Sequence, residues 1–257
     1  MFDLLTPHRA DAVRQKLFSE VCDRTEEELT AAGGIGTLAE KTIHSVLKHF
    51  YAVEPAYEEI RTASFYADVA RPEGICEIQT RHFYLLKRKL KAFLPVAPVT
   101  IVYPVVHRKT LRWVDPEDGT VSAPRRTAKI DFGFRVLAEL YSLGDMFPAE
   151  ELSVRLALLD VEEYKMLDGY GPDRKIRAHR SDGFPQELVA EVDLRTPSDY
   201  TYFLPKTLPA EFTSADYAAC CHIPRDLAQT CVRILTALGV IARIPAGGRG
   251  YTYRRLL

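Results

Sequence analysis

A strand pair is predicted near the first third of the chain by its alternation of apolar and polar residues. Residues 65–70 (FYADVA) are rich in aromatic and β-branched side chains, and residues 75–80 (ICEIQT) alternate strictly. The four residues between them include proline and glycine, which is typical of a tight turn. Because strand side chains alternate in direction, Glu77 and Gln79 share one face, and Asp68 across the hairpin can reach that face.

Around this hairpin the sequence predicts a helix, three strands, a second helix and a fourth strand. Apolar residues recur with helical spacing before the hairpin and again after it, and an almost continuous apolar run then indicates a strand buried on both faces. The elements are a helix at 37–51, a strand at 57–62, the hairpin, a helix at 81–94 and a strand at 99–106. Residues 1–32 are predicted to form a polar helical arm.

The middle of the chain predicts further strands and two basic loops. We expect strands at 111–114, 152–161 and 187–194, a helix at 131–143, and loops at 119–130 and 162–185. The second loop carries Arg174 and Lys175 and is either an ordinary surface excursion or a segment that contacts a phosphate backbone. With the hairpin, these elements form one α/β domain over residues 33–195.

The character of the sequence changes after a proline-rich linker at 197–209. Helices at 213–221 and 225–238 and strands at 240–244 and 251–254 have the order of a winged helix, although no first helix is predicted in the linker. We therefore assign residues 196–257 to a small winged-helix-like domain. A protein-interaction module of the same shape is the alternative. The predicted DNA contacts of this domain are Arg225, Gln229 and Arg233 on the second helix and Arg249 at the hairpin tip.

Composition and charge narrow the class of protein. The chain has 257 residues, 47 % of them hydrophobic, and a formal net charge of −1, which alone predicts no polyanion partner. The charge is uneven, however, because residues 81–91 carry five basic side chains and no acid. Five cysteines without a CxxC pair indicate buried free thiols, and no long apolar run is present. We expect a cytoplasmic protein with no membrane association.

The candidate chemistry lies on the predicted hairpin. Asp68, Glu77 and the amide of Gln79 converge as oxygen ligands of the kind that Mg²⁺ or Mn²⁺ prefers. Glu40 opens the preceding helix and fits a capping box with Thr37, or alternatively points into an active site. A Cys76–His82 nucleophile is not favoured, because nothing orients the histidine and Cys76 alternates to the apolar face.

The region from about residue 33 to 106 resembles the PD-(D/E)XK, or restriction-endonuclease-like, nuclease superfamily. The matching order is Glu40 on the first helix, Asp68, then Glu77-Ile78-Gln79, a basic helix and a buried strand. The resemblance implies a central mixed sheet flanked by helices and Mg²⁺- or Mn²⁺-dependent hydrolysis of DNA. It also implies that Asp68 and Glu77, with the Ile78 carbonyl, hold the metal, and that Glu40 binds a second metal or tunes the attacking water.

This sequence departs from the superfamily at one position. Gln79 stands where a lysine is usual, and an amide can orient water but supplies no charge. Lys87 or Arg81 of the following helix would then supply the positive charge, and Arg81 is also a candidate DNA contact.

Two functions follow from these residues. The first is a metal-dependent DNA endonuclease in restriction, phage defence or repair, for which symmetric double-strand cleavage would favour a homodimer. The alternative is a catalytically inactive, nuclease-like DNA-binding regulator. The third hypothesis is a protein-interaction scaffold whose basic patches contact only solvent. DNA affinity that falls steeply with salt concentration would exclude this hypothesis.

Overall fold

A computed structural model describes residues 9–31, 39–115, 117–167, 179–245 and 251–257. The α-helices are α1 (Ala12–Ala31), α2 (Ala39–Ala52), α3 (Lys87–Phe93), α4 (Arg135–Leu143), α5 (Ser214–Cys221) and α6 (Arg225–Ala237). Short 3₁₀ helices span Pro55–Tyr57, Phe83–Leu86, Gly144–Met146 and Pro197–Phe203. The strands are β1 (Glu58–Thr62), β2 (Phe65–Arg71), β3 (Gly74–Ile78), β4 (Val99–Val114), β5 (Arg125–Arg126), β6 (Leu152–Met166), β7 (His179–Leu194), β8 (Glu211–Thr213), β9 (Ile241–Ile244) and β10 (Thr252–Arg255).

The main sheet is mixed and has the strand order β1-β2-β3-β4-β6-β7, with β5 paired to β4. The first three strands form an antiparallel meander. The segment containing α3 then returns the chain so that β4 runs parallel to β3, and β6 runs parallel to β4. The last strand, β7, pairs antiparallel with β6. This is the α/β class with a mixed sheet flanked by helices that the sequence predicts.

Both faces of the sheet are covered over the first half of β4, which explains why residues 99–106 are almost continuously apolar. Ile101 and Val102 are adjacent, point to opposite faces and are both fully buried. Ile101 belongs to a core that includes residues of α3, α4 and the C-terminal segment. Val102 belongs to a second core, which is built with α1 and α2.

Strands β4, β6 and β7 are longer than the sequence predicts. The strand predicted at 99–106 continues through residue 114 with a bulge after Val106, so that the short strand predicted at 111–114 is its second half. The loop predicted at 162–185 is instead strand at both ends, up to residue 166 and from residue 179. Polar side chains are tolerated there because cross-strand pairs such as Lys109–Glu163 satisfy them.

Two predicted helices begin later than expected. The helix predicted at 81–94 starts as a 3₁₀ turn at Phe83 and becomes α-helical only at Lys87. The helix predicted at 131–143 begins at Arg135. Thr37, the proposed cap of α2, lies outside the described residues.

The C-terminal segment folds as a three-stranded antiparallel sheet, β8-β10-β9, with α5 and α6. The proline-containing linker is not structureless, since Thr196 and Asp199 form a capping box that starts a 3₁₀ helix. The segment shares a hydrophobic cluster with the α/β part, and the Cys231 thiol contacts the carbonyl of Phe134. The boundary at residue 196 therefore stays a prediction. None of the described helices is both long and apolar enough to cross a membrane.

Candidate active site

The site forms where the β2–β3 hairpin opens. Backbone pairing of the two strands extends only to Val69 and Cys76. Beyond this pair, the Asp68 carboxylate accepts a 2.8 Å hydrogen bond from the Ile78 N–H. The Glu77 carboxylate accepts a 3.3 Å hydrogen bond from the Asp68 N–H. These reciprocal bonds fix both carboxylates at the same end of the hairpin, as the sequence predicts.

Glu77 is buried, with only 2 % of its surface exposed. Its second carboxylate oxygen accepts a 2.7 Å hydrogen bond from the Lys89 ammonium group of α3. Burial, together with the nearby charge of Asp68, raises the pKa of Glu77 to about 7, although Lys89 acts in the opposite direction. At neutral pH, the buried carboxyl is therefore poised between its charged and neutral forms.

Helix α2 reaches the same site from the other side. The Nε2 atom of His44 lies 3.8 Å from a carboxylate oxygen of Asp68, at ion-pair distance when the ring is protonated. The backbone of Glu40 lies in the first turn of α2. The side chain of Glu40 lies outside the described residues, so its predicted role stays a prediction.

Gln79 and Lys87 have their contacts outside the carboxylate pair. The Gln79 N–H donates to the Val102 carbonyl at 2.9 Å, and its side-chain amide donates to the carbonyl of Arg81. The Lys87 ammonium group lies 3.7 Å from where a Cβ atom on Gly144 would be, just after α4. The structure thus brings Lys89, rather than Lys87, to the carboxylate pair.

The sequence contained a signal for Lys89. This residue follows the buried Leu86 by three positions and precedes the buried Phe93 by four. Residues with these spacings share one face of a helix, so Lys89 lies on the side that packs against the sheet. The prediction assigned the missing positive charge to Lys87 or Arg81 and so overlooked Lys89.

The donor set of the hairpin suits a hard divalent cation. Within the part of the chain that the structure describes, no three His, Cys, Asp or Glu side chains converge as a metal-binding group. Mg²⁺, however, is usually held through one or two carboxylates, with water and substrate phosphates as the other ligands. Asp68 and Glu77 provide two such carboxylates, one of them buried at an energetic cost that a cation would relieve.

The predicted DNA contacts are distributed over two regions. Arg81 is exposed directly after the hairpin, and Arg225, Gln229 and Arg233 are exposed on α6. Gln229 and Arg233 line a groove of about 610 Å³ beside the β9–β10 hairpin. Arg174, Lys175 and Arg249 lie outside the described residues.

The same groove contains two residues that sequence reasoning missed. The guanidinium group of Arg243 lies over the ring of Tyr251, 3.0 Å from its centroid. Both side chains line the groove with Arg233, so cationic and aromatic groups face the same space. Alternation within the predicted hairpin strands could have placed Arg243 on this face.

All five cysteines are free thiols, as predicted, but only three of them are buried, because Cys76 and Cys220 are partly exposed. Burial raises the pKa of the Cys76 thiol, which disfavours the thiolate that a nucleophile requires. Cys76 also packs against the core on the α1–α2 side of the sheet, which fits its predicted apolar orientation.

Comparisons with known proteins identify one family and one curated relative. Residues 41–195, more than half of the chain, match the family described as Domain of unknown function (DUF8091). A protein of Treponema pallidum (strain Nichols), described as "Uncharacterized protein", is 29 % identical over 230 residues, which cover 86 % of this chain and 87 % of that protein. No solved structure shows significant similarity. The family match includes Asp68, Glu77 and Lys89 and ends before the C-terminal segment.

Proposed function

We propose that this chain, which belongs to the DUF8091 family, is a metal-dependent deoxyribonuclease whose active site is the Asp68–Glu77 pair. The observation that carries the proposal is the buried Glu77 carboxylate, held beside Asp68 and in contact with Lys89. Two adjacent carboxylates repel each other, and burial adds a desolvation penalty. A bound divalent cation would offset both the repulsion and the desolvation penalty.

The topology of the sheet supports the proposal. The order α2, β1, β2, β3, α3, β4 places an antiparallel meander before a crossover to a parallel strand. This order resembles that of the PD-(D/E)XK nucleases, in which a first helix is followed by the acidic hairpin, a basic helix and a buried strand. Asp68 lies in β2 and Glu77 in β3.

The chemistry under this proposal is hydrolysis of a phosphodiester. Water is added across one P–O bond, leaving a phosphate monoester on one fragment and a hydroxyl group on the other. Asp68 and Glu77, with the Ile78 carbonyl, would hold Mg²⁺ or Mn²⁺, which polarises the phosphoryl group and lowers the pKa of the attacking water.

The other side chains bind and orient the reactants. Lys89 supplies a fixed positive charge next to Glu77, the charge that Gln79 cannot supply. The Gln79 carbonyl oxygen can accept a hydrogen bond from the attacking water, while its NH₂ group is held by the Arg81 carbonyl. His44 contacts Asp68 and helps to orient that carboxylate.

We further propose that the C-terminal segment is a winged-helix module that binds DNA. The order of α5, α6 and the β9–β10 hairpin, which is the order from which the sequence predicts a winged helix, supports this proposal. The exposed Arg233 of α6 and Arg243 of β9 line one groove, where two cationic side chains can neutralise neighbouring phosphates.

A cleavage assay tests the catalytic proposal. Supercoiled plasmid and circular single-stranded DNA are incubated with the full chain and Mg²⁺ or Mn²⁺, with EDTA as the metal-free control. We expect metal-dependent products that are lost with Asp68→Asn and with Glu77→Gln. The matched control, Glu73→Gln in the exposed hairpin turn, should cut like the unmodified protein.

Two results would contradict the proposal. Equal product from the protein and from Asp68→Asn would place the activity elsewhere. Salt-sensitive DNA binding without cleavage of either substrate would favour the inactive DNA-binding regulator instead.

A further inference from the structure

The main sheet contains an opening next to the candidate site. Strand β3 pairs with β4 only as far as Val102, opposite Ile78. The next contact along this edge of β4 is the hydrogen bond from the Asp131 N–H to the His107 carbonyl, at 3.0 Å. Within the described ranges, no strand pairs with residues 103–106 on this edge.

Pro104 lies in this opening. Backbone groups along a strand alternate between its two edges, and the Val102 carbonyl accepts from Gln79 on the β3 side. Pro104, two residues later, therefore directs its nitrogen to the same side, where the absence of an N–H sacrifices no sheet hydrogen bond. Pro104 is thus compatible with the opening, and it disfavours the pairing of another strand with this edge of β4.

A cavity of about 320 Å³ occupies the opening. Thr80 on its rim is three residues after Glu77, which limits their separation along the chain to about 10 Å. Ile43, also in the lining, precedes the His44 that contacts Asp68. The cavity therefore opens beside the carboxylate pair.

The lining of the cavity is apolar with a few charged groups. Val105, Val106 and Val161 form apolar walls. The Lys109 ammonium group contacts the buried Glu163 carboxylate at 2.5 Å, and both residues line the cavity. Apolar walls with a small number of placed polar groups are typical of sites for small molecules, whose volumes start at roughly 300 Å³.

We propose that this cavity receives one nucleoside of a DNA strand, turned out of its base stack beside the phosphodiester at Asp68–Glu77. The inference rests on the proposed nuclease function and specifies its substrate class. The apolar walls cover the faces of the base, Glu163 accepts hydrogen bonds from its amino groups, and Lys109 and Arg81 attract the adjoining phosphates. Single strands, strand ends and unpaired bases are then preferred, because a base in a continuous duplex must first be unstacked.

The test uses 2-aminopurine, whose fluorescence rises when the base leaves its stack. It is placed in turn at each position of a short single-stranded oligonucleotide. The oligonucleotides are mixed with the Glu77→Gln variant, so that the readout needs no hydrolysis. We expect a rise of about threefold or more at one position. Filling the cavity with Val106→Phe should abolish this rise, while Val192→Phe, on the same sheet but away from the cavity, should preserve it.

A second variant guards against misfolding of the first. Arg81→Gln removes an exposed cation from the lining and should weaken oligonucleotide binding at least fivefold, while the melting temperature stays within about 3 °C of that of the unmodified protein. In parallel, the unmodified protein with Mn²⁺ should cut single strands or a one-base bulge at least tenfold faster than a fully paired duplex.

The outcomes separate this inference from the nuclease proposal. Metal-dependent cleavage with no fluorescence rise at any position, or with a rise that Val106→Phe leaves intact, overturns the nucleoside site and leaves the nuclease proposal standing. A rise that is lost with Val106→Phe, in a protein that never cuts DNA, supports the nucleoside site and overturns the nuclease proposal.

Discussion

Replacing Glu77 with glutamine should make the metal-free protein more stable at alkaline pH than at acidic pH, relative to the unmodified protein. The pKa of Glu77 is raised from an ordinary value of 4.5 to about 7 by burial and by the charge of Asp68. The folded state therefore binds the proton more tightly than the unfolded state does. The stabilisation from this proton is complete below pH 4.5 and is lost as the pH rises through 7.

The size of the effect follows from the pKa difference. At about 1.4 kcal/mol per pH unit, the rise from 4.5 to about 7 corresponds to roughly 3 kcal/mol of stability lost by the unmodified protein. Glutamine cannot ionise, so the variant should not lose it. The Glu77 carboxylate accepts hydrogen bonds from the Asp68 N–H and from the Lys89 ammonium group. In the variant, the glutamine NH₂ group faces one of these donors, which costs about 1 kcal/mol at every pH. The change with pH is therefore the quantity to measure.

Urea denaturation in EDTA at pH 4.5 and pH 8 measures this change. The difference in unfolding free energy between Glu77→Gln and the unmodified protein should shift by about 3 kcal/mol in favour of the variant at pH 8. Glu73→Gln, which removes the same charge from a side chain that is 70 % exposed, is the control and should show no such shift. A pH-independent difference, or a shift of the opposite sign, would refute the assignment of Glu77 as a buried carboxyl under strain from Asp68.

Three further predictions concern other parts of the molecule. Lys89→Met should lower the cleavage rate roughly 100-fold without weakening DNA binding, whereas Lys87→Met should stay within about threefold of the unmodified protein; equal effects would refute the assignment of Lys89. Arg233→Gln or Arg243→Gln should each reduce the slope of log affinity against log salt concentration by about 1 in a DNA-binding titration, and an unchanged slope would exclude that groove. Tyr51→Phe removes a buried 2.8 Å hydrogen bond to the Glu191 carboxylate and should lower the free energy of unfolding by about 2 kcal/mol, with cleavage unchanged. An unchanged free energy of unfolding in chemical denaturation would contradict this structural role.

The hairpin at the centre of the site was predictable from local patterns. A turn composition between alternating segments predicted β2 and β3, and alternation placed Glu77 and Gln79 on one face, with Asp68 across the hairpin within reach of it. Helical spacing likewise predicted the helix α6 and the inward direction of Cys231, Ile234 and Leu235, all of which are buried. These features depend on the sequence within a few residues, which is why the pattern sufficed.

Features that depend on partners distant in sequence were not predictable in the same way. The polar end of β6 forms a strand beside β4, which supplies cross-strand cations such as Lys109 for Glu163, and β7 in turn pairs with β6. The opening beside residues 103–106 arises from where β3 and the segment after β5 stop pairing with β4, which no local pattern encodes. Helical spacing could have placed Lys89 on the buried side of α3, but its contact with Glu77 depends on how α3 packs against the hairpin.

The most direct test of the central claim is a titration with Mn²⁺ followed by electron paramagnetic resonance of the free ion. The unmodified protein should bind one ion per chain, and binding should weaken between pH 8 and pH 6, because the pKa of Glu77 is about 7 and protons compete with the metal. Asp68→Asn should bind at least tenfold more weakly, whereas Glu73→Gln should bind normally. Undiminished binding by Asp68→Asn, or no binding by the unmodified protein, would contradict the account of this carboxylate pair as a metal-dependent hydrolytic site.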